Sequence, residues 1–132
     1  MVLSEPEGLL KIATADLETA EASSVPAVFR EGAWGFWLQQ AVEKALKAWL
    51  LQLGGDPPLT HDLRRLLLLL TAEGAATADL EPLAQLTVFA VQFRYDADPT
   101  PLGLDRDRFN RQVRGLLALV QQLLVQGSET EP

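Results

Sequence analysis

Apolar residues recur at intervals of three and four along almost the whole chain. Leu10, Ala13, Leu17 and Ala20 form one such series, Leu38, Val42, Ala45, Leu46 and Trp49 a second, and Phe109, Val113, Leu116, Leu117, Val120 and Leu124 a third. That spacing gathers side chains on one side of a 3.6-residue helix, whereas a half-buried strand needs strict alternation. No segment combines alternation with β-branched enrichment at strand length, so the chain is expected to be all-α. The breakers divide it into five helices. The first covers about Gly8 to Ser23 and stops at Ser24-Val25-Pro26, because the residue before proline is pushed out of helical angles. The second runs from Ala27 or Glu31 to Leu53 and is closed by Gly54-Gly55-Asp56-Pro57-Pro58. The third starts with Thr60 as N-cap and ends near Glu73-Gly74, the fourth spans about Ala78 to Arg94, and the fifth begins near Asp105 after the proline-rich Asp96–Gly103 loop. Connections this short imply an up-and-down bundle of four to five antiparallel helices.

The chain has 132 residues, the size of one domain, and 1–132 is read as a single bundle with 1–7 and 127–132 as flexible ends. No apolar run exceeds the length of Leu66–Leu70, far short of the roughly 18–20 residues that span a bilayer. No membrane association is therefore expected. The first residues are acidic where a signal peptide would be basic, so residence in the cytoplasm is the expectation. The chain has no cysteine and one histidine, which excludes disulfides, thiolate nucleophiles and multi-histidine metal sites. A formal net charge of −7 opposes avid binding of RNA or DNA, yet leaves room for a small basic pocket that takes a nucleotide.

Polar residues on the second helix are ordered. Gln40, Glu43, Lys44 and Lys47 fall within roughly 100° of arc, opposite Leu38, Val42, Ala45, Leu46, Trp49 and Leu53. One reading is a solvated face with a Glu43–Lys47 pair one turn apart. The other is a groove in which Lys44 and Lys47 meet a phosphate and Gln40 bonds a base or ribose, with Phe36 and Leu51 on the same arc. His61 is either a neutral residue bonded to a nearby loop at a helix start or part of a pocket with Asp62. Arg94 either caps the end of the fourth helix or recognises phosphate, with Tyr95 stacking on a ring. Asp96 and Asp98 are two acids in a loop, able to hold Mg²⁺ only beside a phosphate. The fourth helix is apolar nearly all round, and Leu86, Phe89 and Phe93 form a second apolar face, as a central helix or a subunit contact requires.

Three of these segments together resemble the HEPN domain family of prokaryotes: Gln39-Gln40-Ala41-Val42-Glu43-Lys44-Ala45-Leu46-Lys47-Ala48 on a long helix, Thr60-His61-Asp62-Leu63 after a proline-rich loop, and Arg94-Tyr95-Asp96 after an apolar helix. The resemblance implies a homodimeric helical bundle in a superfamily associated with nucleotide binding and RNA cleavage. It also implies a partner, since many small members are encoded beside a minimal nucleotidyltransferase with which they act as a toxin–antitoxin pair. The family's ribonucleases carry a histidine four to six residues after an arginine. Here Arg94 is followed by Tyr-Asp-Ala-Asp-Pro-Thr-Pro, and no histidine follows His61. The expectation is thus a nucleotide-binding or partner-binding homodimer without catalytic residues or resident metal. Gln40, Lys44, Lys47, His61, Arg94 and Tyr95 would form its ligand site, with Mg²⁺ entering only with the nucleotide. The alternatives are an interaction module that docks on the nucleotidyltransferase through Leu86, Phe89 and Phe93 without a ligand of its own, and a ribonuclease that uses His61 in a different arrangement.

Overall fold

Ser4 and Glu7 start the first helix earlier than the apolar spacing implies. The Ser4 hydroxyl accepts from the Glu7 amide at 3.3 Å and donates to the Glu7 carboxylate at 2.8 Å. Pro6 sits in the first turn, where its missing N–H costs nothing. In the computed structural model, which describes residues 2–95, 97 and 100–130 without the side chains of 92–95 and 128–130, α1 therefore spans Glu5–Ala22. The helices that follow are α2 (Glu31–Gln52), α3 (Leu63–Ala72), α4 (Val88–Tyr95) and α5 (Arg106–Thr130), and no strand occurs among the described residues. Residues 5–7 and 127–130, expected as flexible ends, are thus helical.

Two other boundaries differ from expectation. Asp62, not Thr60, caps α3, its carboxylate accepting from the amides of Arg64 and Arg65, while the Thr60 hydroxyl accepts from the Asp62 amide. The expected fourth helix is split: Ala78–Thr87 is a 3-10 helix containing Pro82, and α-helical geometry begins only at Val88. Proline lacks an amide hydrogen and its ring crowds the carbonyl one turn back, so the segment before and through Pro82 cannot settle into ordinary α-helical bonding.

The second helix is the spine of the bundle and contacts every other helical element. Trp34, Leu38, Val42, Ala45, Leu46 and Trp49 are buried along it, and Leu53 lies exposed beyond its end. α1 and α5 pack on one side. Lys44 pairs with Asp16, Arg114 with Glu21, and Trp34 bonds to Asn110, so α1 runs antiparallel to both neighbours. α3, the 3-10 helix and α4 pack on the other side, where Phe89 meets Trp34 edge-on at 6.2 Å. Gly35 allows that approach, since a Cβ there would come within 2.5 Å of the Phe89 ring. The stripe Phe109, Val113, Leu116, Leu117, Val120 and Leu124 of α5 is buried as its spacing predicts. No helix among the described residues is long and apolar enough to cross a membrane.

Candidate functional site

The connection after α2 is not a tight turn. Gly54 takes φ +87°, a conformation suited to glycine, and the Gly55 amide bonds to the Leu50 carbonyl at 2.8 Å. From there the chain doubles back along α2 until the His61 carbonyl accepts from the Gln39 side-chain amide at 3.0 Å. Leu50 and Gln39 are separated by about 16 Å of helix at 1.5 Å per residue. The prolines favour this extended course, because Pro57 and Pro58 have fixed φ and no amide hydrogen to satisfy. The result is a strap over the polar side of α2, ending at His61.

Under the end of the strap lies Glu43, 6% exposed. One carboxylate oxygen is 2.7 Å from His61 Nδ1 and accepts from the Gln39 amide at 3.1 Å, and the other accepts from Lys47 Nζ at 3.0 Å. Burial pushes the Glu43 carboxyl up, but the hydrogen bonds from His61, Lys47 and Gln39, with the Lys47 charge, outweigh it and hold the group below its ordinary value. The His61 side chain remains 59% exposed. One buried carboxylate thus holds an ammonium and a largely exposed imidazole side by side.

The other predicted residues are drawn into the same framework. The Gln40 side-chain amide donates to Oε1 of the Gln39 side chain at 2.7 Å. Lys44 turns the opposite way, to Asp16 on α1 at 2.5 Å, so the two lysines of the stripe serve different neighbours. The stripe is therefore partly sunk between α1 and the strap instead of facing open water. Arg94, Tyr95 and Phe93 have side chains outside the described residues, as have Asp96 and Asp98 entirely. Leu86 and Phe89, expected on an outward contact face, are 0% and 6% exposed and belong to the core within one chain. The 3-10 geometry of 78–87 changes the angular positions on which that face was drawn.

Gln39 and Asp16 complete this arrangement, and the helical wheel passes over both. Gln39 is fully buried and joins Gln40, Glu43 and His61. Asp16 is 7% exposed and lies next to Leu17 on the buried side of α1, three residues after Ala13. The available signal is a polar residue at a position that the apolar spacing assigns to the core, which demands a partner. Among the described residues no buried side-chain nitrogen or oxygen lacks one. The same residues contain no cluster of three or more acids and histidines able to hold a metal ion.

Compared with known families, the chain matches the model of the HEPN domain over residues 6–125, nearly its full length. The chain belongs to the HEPN family. No curated protein and no solved structure gives a significant match. The family's ribonuclease pattern of arginine and following histidine has no counterpart after Arg94 in this HEPN chain, whose one histidine, His61, is held by Glu43 on the strap. Chemically, the Glu43 cluster offers an oriented imidazole, a charged ammonium and amide groups, a set suited to hydrogen-bonding an anion or a polar ring.

Proposed function

We propose that this HEPN protein is a binding member of a two-protein module: a homodimer that works with a minimal nucleotidyltransferase and takes a nucleotide on the α2 face carrying Gln40, Lys44, Lys47 and His61. The observation that supports this reading is the shared Glu43 carboxylate, which fixes Lys47 and His61 as neighbours before any ligand arrives. Preorganised donors of this kind bind a phosphate with little further ordering cost. Arg94 and Tyr95 would add contacts to phosphate and base, and Mg²⁺ would accompany the nucleotide. Calorimetric titration with ATP and GTP tests the ligand. Saturable binding that weakens in Lys47→Ala and His61→Ala supports it, and absence of heat at millimolar nucleotide overturns it. Copurification with a nucleotidyltransferase encoded beside it, followed by light scattering, tests the pairing and the dimer.

A second reading is an interaction module without a ligand. It is favoured by the commitment of Lys44 to Asp16 and Lys47 to Glu43, and by Trp37, 38% exposed on a mostly buried helix beside Phe36 at 5.3 Å. Under this reading Trp37→Ala weakens partner binding and nucleotide has no effect. Ribonuclease activity through His61 is the least supported reading, since one histidine must serve as both acid and base. RNA cleavage abolished by His61→Ala would establish it.

A further inference from the structure

A separate cavity of about 560 Å³ lies at the start of α2, two turns or more from the Glu43 cluster. Its wall is largely apolar, including Phe29 from the α1–α2 connection, Val88 and Phe89 from α4, and Leu104 ahead of α5. The size lies within the roughly 300–1,000 Å³ range of small-molecule sites. Of the three charged residues on this wall, Arg30, Glu31 and Arg106, the last two differ in how they are used. The Glu31 carboxylate is occupied, accepting from the Leu102 and Leu104 amides at 2.6 and 2.9 Å. Arg106 spends only Nη1, on the carbonyls of Phe29 at 2.8 Å and Ser23 at 3.4 Å, while its plane rests 5.7 Å from the Trp34 ring centre. Its Nε and Nη2 make no hydrogen bond to the described residues, so the fork is held in place with donors to spare.

We propose that this cavity binds an amphipathic organic acid, its carboxylate on the guanidinium of Arg106 and its hydrocarbon body against Phe29, Val88, Phe89 and Leu104. The backbone bonds and the Trp34 ring prevent Arg106 from swinging away, so its orientation is set before the acid enters. The satisfied Glu31 does not need the guanidinium as a partner. A neutral molecule of the same length would gain the apolar wall alone.

The test is calorimetric titration with decanoate and with 1-decanol. The expected result is saturable one-to-one binding of decanoate, about tenfold or more tighter than decanol, as a charge-assisted bond implies. Val88→Trp, which puts an indole into the apolar part of the cavity, should weaken binding of both about tenfold or more at an unchanged melting temperature. Arg106→Gln should reduce decanoate to the level of decanol and leave decanol unaffected. Should Arg106→Gln fail to fold, the decanoate-to-decanol ratio in the unmodified protein and the Val88→Trp result decide alone. No saturable binding, equal affinity for the two probes, or full binding by a folded Val88→Trp variant would each overturn the proposal.

Discussion

The imidazole of His61 is tied to the buried carboxylate of Glu43 across 2.7 Å, and this contact fastens the end of the returning strap to α2. Glu43 also binds Lys47 and Gln39, so a change at this one residue should reach both the strap and the α2 face.

The first prediction concerns acid. Glu43 titrates below its ordinary value, so its contribution to stability is complete above the unfolded value of about 4.3 and is lost as pH falls through that value toward the lower folded one. Thermal melts between pH 7 and pH 3 should show a stability loss that begins below about pH 4.5, and Glu43→Gln should flatten it. An equally steep loss in Glu43→Gln would assign the acid sensitivity to other carboxylates.

Lys44 and Asp16 join α2 to α1 through a pair whose side chains are 23% and 10% exposed. Removal of Lys44 leaves a nearly buried carboxylate alone, so Lys44→Met should cost about 1–2 kcal/mol after allowance for partial solvent screening. Asp16→Asn in the Lys44→Met background should recover part of that loss. Denaturant unfolding of the two single variants and the double variant measures the coupling.

Gly35 permits α4 to lie close against α2. Gly35→Ala drives a methyl into the Phe89 ring near its attachment point, where the ring cannot simply swing aside, and should destabilise by about 1–3 kcal/mol. Phe89→Leu should relieve much of the clash, giving a double variant more stable than the sum of the two single losses implies.

Trp34 is fully buried and donates its indole hydrogen to Asn110 at 2.8 Å, while the Asn110 amide donates to Ser24 at 2.7 Å. Asn110→Ala leaves the indole without an acceptor and should cost about 1–3 kcal/mol in denaturant unfolding. Trp34→Phe in that background removes the orphaned donor and should make the further loss small.

These cases mark what the sequence carried and what it did not. Apolar spacing predicted the helices and the buried stripes of α2 and α5, because burial of one side follows directly from the 3.6-residue period. The Ser4 cap, which the apolar series does not contain, explains why α1 begins ahead of Gly8. Pro82 was the warning that 78–94 is not one uniform helix. The polar stripe was visible, but its division was not. That Lys44 turns to α1 and Lys47 to Glu43 depends on where α1 and the strap pass, which no helical wheel contains. The cavity beside Arg106 was hidden for the same reason: Asp105-Arg106-Asp107-Arg108 reads as capping and surface pairing. Asp105 does cap α5 through the Arg108 amide, while Arg106 reaches back to the carbonyls of Ser23 and Phe29.

The proposed role rests on nucleotide binding at the α2 face, and calorimetry of the purified protein with ATP and GTP tests it most directly. Saturable binding is expected, weakened by about tenfold in Lys47→Ala and in His61→Ala, the size of one lost charge-assisted bond. Melting curves identify any variant that has lost its fold. No saturable heat with either nucleotide at millimolar concentration, or unchanged affinity in both folded variants, would contradict it.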